Sequence, residues 1–181
     1  MRLFIGIDLP EHIKDELVTL QQTFVLLDLF SGRLIPRENL HITVLFLGTV
    51  EPEKLDQLSY QLANLTFDSF TLTLGAVEIP HWSHPHVMWV RTHSEAFVTL
   101  ANVLQETLGI TQDRAPFGHC TIARISTIYN KIALKEALQQ IVMEPLSWQV
   151  SHFVLYQSHT LEQGAKHVPL ETFSFKKKAH F

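Results

Sequence analysis

The chain has 181 residues, 46% of them apolar, a net charge of −4 and one cysteine, Cys120. That length buries a substantial core without covalent staples, the lone cysteine cannot build a disulfide framework, and the acidic balance argues against coating duplex nucleic acid, which takes many cations. No window approaches the roughly 20 apolar residues of a membrane span and no small-residue cleavage site follows the N-terminal apolar run, so a soluble cytoplasmic protein is expected; a monomer is the separate expectation for its assembly.

Leu3 to Ile7 is an apolar run that predicts a strand. Asp8 and Pro10, a cap candidate and an early-helix proline, introduce a helix whose Ile13, Leu17, Leu20, Phe24 and Leu27 recur at three and four residues; Ser31-Gly32 ends it. Leu40 to Leu47 predicts the next strand, and Pro52 opens a helix with Leu55, Leu58 and Leu62 on one face. Phe70, Leu72 and Leu74 alternate with threonines, the period of a half-buried strand. The order then starts again. Val87 to Val90 predicts a strand, Ser94 caps a helix carrying Phe97, Leu100, Leu104 and Leu108, and Gly109 stands where a C-terminal cap belongs. His119 to Ile125 predicts a strand and Lys131 to Val142 a helix, with strands near Trp148 to Tyr156 and His167 to Phe175 at the end. Two related lobes, one per half of the chain, are expected to pack around a shared groove. KKK, Lys176 to Lys178, reads as a solvated tail.

Both halves place His-x-Thr-apolar at the start of a strand: HITVLFLG from His41 and HCTIARI from His119. Side chains alternate across a strand, so His41 shares a face with Thr43, Leu45 and Leu47, while Ile42, Val44 and Phe46 take the other. His119 and Thr121 pair in the same way, with Cys120 behind them. Two imidazoles that titrate near neutrality supply an acid and a base. Two hydroxyls donate hydrogen bonds to the non-bridging oxygens of a phosphate. Facing each other, the motifs suit in-line displacement at phosphorus, with a strained cyclic phosphodiester as an apt substrate.

Four stretches, RLFIGIDLP, IPRENLHITVLFLGTV, FGHCTIAR and FVLYQS, in this order and spanning nearly the whole chain, resemble the two-histidine phosphoesterases, specifically the RNA 2′,3′-cyclic phosphodiesterases also called 2′-5′ RNA ligase-like proteins. The resemblance implies an α+β fold of two pseudo-symmetric lobes around a central cleft, each with a mainly antiparallel sheet and outer helices, forming one two-lobed domain over residues 1–181. It implies conversion of an RNA 2′,3′-cyclic phosphate end, or of a nucleoside 2′,3′-cyclic phosphate, to a 2′-phosphate, with no metal or other cofactor. Carried over by position, His41 and His119 are catalytic, and Thr43 and Thr121 bind phosphate. Phe4 in the first strand is placed to reach the base of a bound nucleotide. The sequence departs from the family where Gly118 and Cys120 flank the second histidine in place of a proline and an aliphatic residue. Arg124, the arginine of the second motif, has the parity of Cys120 and reaches a phosphate only if the strand twists or bulges.

Other residues compete for a role. His81, His84 and His86 invite a metal reading, but Pro85 breaks the run and no Asp, Glu or Cys within it completes a ligand set. A solvated loop at the cleft rim is the simpler expectation, with Trp82 stacking on a base as a further reading. Tyr156 and Ser158 stand near the end of a strand that borders the cleft. The other histidines, His167 included, carry no partner pattern. A nucleotide- or RNA-end-binding module without turnover is the rival to an enzyme.

Overall fold

The computed structural model describes residues 1–162 and 164–176. Its first element, β1 (Arg2–Asp8), buries Leu3 through Ile7, because both faces of this strand are covered. Helix α1 (Glu11–Leu27) turns the predicted stripe of Ile13, Leu17, Leu20 and Phe24 inward. Each fully buried side chain of this kind is worth about 1.5–3 kcal/mol. Pro10 occupies the cap position without a side-chain bond, and Asp8 instead pairs with Lys14 at 3.0 Å. The helix stops at Asp28 in the left-handed conformation (φ 46°), ahead of Ser31-Gly32. Those two residues belong to β2 (Phe30–Leu34), a strand not foreseen in the sequence, where Gly32 passes so close to Arg124 that any Cβ would strike its carbonyl.

After β3 (His41–Thr49) come α2 (Leu55–Ala63), β4 (Phe70–Glu78), β5 (Val87–Thr92) and α3 (Glu95–Leu108). The last is capped as its sequence predicts: Ser94 Oγ accepts from Phe97 N–H, and Gly109 takes a positive φ of 63°. The chain closes with β6 (His119–Ile128), α4 (Lys131–Gln140), β7 (Leu146–Val150), β8 (His152–Leu161) and β9 (Gly164–Ser174). The apolar stretch expected as one strand from Trp148 to Tyr156 is thus two, divided at Ser151. Lys176 is tied down, its Nζ donating to the Ala63 carbonyl; the other two lysines of the KKK run lie outside the described residues.

Among the described residues the strands form one curled antiparallel sheet in the order β7-β4-β5-β6-β3-β1-β8-β9, with β2 beside the distal part of β6. The fold is α+β, and the two lobes meet along the β3–β6 seam. They are not the two halves of the chain. From the N-terminal half, β4 crosses to pair with β5 and β7, while the C-terminal hairpin β8–β9 returns to β1. Burial explains the exchange: Leu72 and Leu74 of β4 and Phe153 and Leu155 of β8 are all buried in the lobe opposite to their half. Among the described residues no helix is long and apolar enough to cross a membrane.

Candidate active site

The seam between the lobes is a single backbone pair, Ile42 with Cys120, each the residue after a motif histidine. Both side chains are fully buried behind the sheet, which turns His41, Thr43, His119 and Thr121 to the front. Antiparallel register then sets His41 beside Thr121 and Thr43 beside His119, with the imidazoles on a diagonal. Diagonal neighbours on such a face stand about 7–8 Å apart at the backbone, so both imidazoles border one cleft. All four side chains line a cleft of about 390 Å³, together with Arg124, Phe4, Phe46 and His167.

Beyond each threonine the strand carries one extra residue. Val44 is unmatched between Thr43, which pairs with Gly6, and Leu45, which pairs with Ile5. Ile122 is unmatched between Thr121, which pairs with Trp89, and Ala123, which pairs with Met88. A bulge of this kind reverses the facing of everything after it. Arg124 therefore joins His119 and Thr121 on the cleft wall. The same device overturns the alternation expected in the first motif, since Leu45 is buried in the core and Phe46, 61% exposed, opens into the cleft. The second bulge is held from behind, where the Ile122 carbonyl accepts both the Ile35 N–H (2.9 Å) and the Gln21 side-chain amide (2.7 Å).

His41 Nδ1 lies 2.7 Å from the Asn39 carbonyl. A carbonyl only accepts, so Nδ1 carries the proton and Nε2 presents its lone pair, to which the Thr43 hydroxyl donates at 3.1 Å. Burial pushes His41 down to about 4, against the pull of the Asn39 carbonyl, and the neighbouring His167 and His119 add to the depression. His119 is also lowered, chiefly by burial and further by the Arg124 charge, while the Phe117 carbonyl opposes the shift. Its Nδ1 is enclosed, with no hydrogen bond of good geometry among the described residues. Trp89 and Phe117 flank its ring at 4.3 and 5.0 Å between centroids.

The aromatic expectations divide. Phe4 lines the cleft and touches the His41 ring at 4.9 Å. Tyr156 has the correct facing but lies beneath Phe4, stacked at 5.0 Å and 14°, and does not reach the cleft wall. Ser158 does. His167, read from sequence as an ordinary histidine, sits edge-on to both His41 and Phe4 at 5.0 Å. Asn39 brings it there, accepting from the His167 backbone N–H and donating to the Ala165 carbonyl. No local pattern announces this placement; it depends on β9 pairing with β8, Ser158 opposite His167.

None of His81, Trp82, His84 and His86 lines the cleft, so the rim position expected for that loop is not found. Trp82 packs under the ammonium groups of Lys131 and Lys135 on α4, and no metal-holding cluster occurs among the described residues. Cys120 is wholly buried, its thiol pushed up to about 12, and it faces away from His119.

A curled antiparallel sheet that brings two His-x-Thr strands to one cleft defines a phosphoesterase of the two-histidine class. Comparison with known proteins narrows this. Residues 7–89, which contain the first motif, match the family described as LigT like phosphoesterase. The chain is 31% identical to the RNA 2′,3′-cyclic phosphodiesterase of Methanocaldococcus jannaschii over 91% of this chain and 95% of that protein. It is 29% identical to the Escherichia coli protein of the same name over 96% of both. Among solved structures it resembles E. coli LigT complexed with 3′-AMP (26% identity, TM-score 0.75, 97% of this chain and 98% of that one). A Thermus thermophilus structure is alike at 27% identity and TM-score 0.74, over 98% of this chain and all of the other. The chain belongs to the LigT-like phosphoesterase family.

Proposed function

We propose that this chain hydrolyses the 2′,3′-cyclic phosphate at RNA 3′ ends to a 2′-phosphate, by paired histidines and without a metal. The reading rests on the Ile42–Cys120 register, which draws two histidines and two threonines from distant parts of the chain onto one face. It is supported by the activity named for the full-length relatives. In the reaction one neutral imidazole takes a proton from water as the oxygen attacks phosphorus. The P–O3′ bond breaks opposite, and the other imidazole, protonated, gives its proton to the departing 3′ oxygen. The second water proton stays on the new phosphoryl oxygen. Thr43 and Thr121 donate to the non-bridging oxygens, and Arg124 faces the charge that builds there. Because the motifs come from both halves, the lobes work as one domain over residues 1–181.

The test is hydrolysis of a nucleoside 2′,3′-cyclic phosphate followed by phosphorus NMR, with and without EDTA. A 2′-phosphate product at equal rates in both, and losses on the order of 10²- to 10⁴-fold in His41→Ala and in His119→Ala, are expected. Inhibition by EDTA, or turnover that survives either substitution, would overturn the mechanism. A 3′-phosphate product would overturn the regiochemistry.

A further inference from the structure

The cleft is longer than the reacting group needs, and the surplus is polar. Its lining contains Arg2, Ser158 and Thr160, which the chemistry above leaves unused, and among the described residues no Asp or Glu. That is notable in a chain of net charge −4. Among the described residues none of these three side chains makes a hydrogen bond or ion pair, and Arg2 and Thr160 are exposed.

Strand geometry locates them. Arg2 and Phe4 share a face of β1, two residues and therefore about 7 Å apart along the strand. Phe4 lies against His41, so Arg2 stands beyond that ring, away from the histidine pair. The β1–β8 ladder pairs Phe4 with Tyr156 and Leu3 with Gln157; its register continued by one residue brings Arg2 level with Ser158, and both line the cleft. Thr160 follows on the same face of β8, opposite Ala165. An uncommitted guanidinium and two hydroxyls thus form a second group of anion donors, on the far side of the Phe4 ring from His41. Planar arginine forks with adjacent hydroxyls match phosphate oxygens.

We infer that Arg2, Ser158 and Thr160 form a second phosphate subsite, which takes the phosphate on the 5′ oxygen of the nucleoside whose 2′,3′-cyclic end is cleaved. This deepens the function proposed above and rests on it. The subsite makes the enzyme a reader of nucleotides rather than of bare cyclic nucleosides. That phosphate is either a terminal 5′-monophosphate or the diester joining the preceding nucleotide.

The experiment compares kcat/KM for adenosine 2′,3′-cyclic phosphate, its 5′-phosphorylated form and the dinucleotide ending in the same cyclic phosphate. A 5′ phosphate should raise kcat/KM roughly ten- to a hundredfold, the scale of charge-assisted hydrogen bonds. That ratio should fall toward one in Arg2→Gln, fall partly in Thr160→Val, and shrink as salt is raised. Whichever of the two 5′-extended substrates gains more identifies the natural source of the phosphate. Calorimetric binding of 2′-AMP against adenosine 2′,5′-bisphosphate reads the same preference without turnover, so absence of hydrolysis would count against the proposed activity and leave the subsite decided by binding. A wild-type preference near one in both assays, or a preference that Arg2→Gln leaves intact, would overturn the inference.

Discussion

Gln21 is far from the phosphate yet holds the strand that presents Arg124, and replacing it with methionine tests the bulge directly. Its amide nitrogen donates to the Ile35 and Ile122 carbonyls at 2.8 and 2.7 Å, and the side chain is buried at 3% exposure. Methionine keeps the length and apolar body but removes both donors. The Ile122 carbonyl retains the Ile35 N–H. Each buried bond is worth about 1 kcal/mol when made, and a buried acceptor left without a partner costs about 1–3 kcal/mol. Gln21→Met should therefore lose about 2–4 kcal/mol in urea denaturation, a drop in melting temperature of roughly 5–15 °C for a chain of this size. The extra residue at Ile122 then has less to hold it, and Arg124 and Thr121 lose their fixed aim. In steady-state assays on a cyclic nucleotide kcat should fall along with kcat/KM, because Arg124 faces charge that builds in the transition state. A stability change below about 0.5 kcal/mol would refute the hydrogen-bond argument. Lost stability with unaltered kinetics would refute the link from bulge to substrate.

Both motif histidines lie below the ordinary imidazole value, His41 at about 4, and the pair needs one proton in total. The productive form then dominates between two values that both lie under about 6.5, so kcat/KM should peak on the acid side of neutrality; a maximum above about pH 7 would contradict the reading. Bound phosphate favours the charged imidazoles, so kcat should peak at higher pH than kcat/KM. The folded chain binds these protons less well than the unfolded chain, so stability measured by denaturation should be intact above about pH 6.5 and should fall as pH drops toward about 4. Phe46→Ala removes a ring that is mostly in solvent; stability should change by less than about 0.5 kcal/mol, while substrate KM should rise about 5- to 150-fold if a base stacks there. Cys120, raised to about 12 and fully buried, should react with a thiol reagent only once denaturant unfolds the chain, and labelling of the native protein would sink the burial argument.

The sequence made the helices and the histidine pairs legible because each announces itself within a few residues: the Leu100–Leu104 stripe, the Ser94 cap, the polar start of an apolar strand. Features created by distant pairing were hidden. Each of these two bulges depends on the neighbouring strand, β1 or β5, supplying one residue fewer just past the threonine, which no window around Thr43 or Thr121 records. For that reason strand alternation places Arg124 only conditionally and puts Phe46 on the face it does not take. Tyr156 is kept from the cleft wall for a different reason. Its facing was right, but a ring from β1 covers it. The exchange of β4 and the β8–β9 hairpin between lobes was equally invisible, since the repeated order of elements fits either assignment.

The place of β1 inside the sheet has a consequence for biosynthesis. Its inner neighbour is β3, but its other edge waits for β8, with Leu3 paired to Gln157 about 150 residues later. At ordinary translation speeds of about 5–20 residues per second, β1 keeps that edge unpaired on the ribosome for roughly 8–30 seconds. During that interval the nascent polypeptide offers Leu3 to Ile7 as a template for unwanted pairing, and a messenger truncated before the last hairpin would yield a product whose first strand never closes.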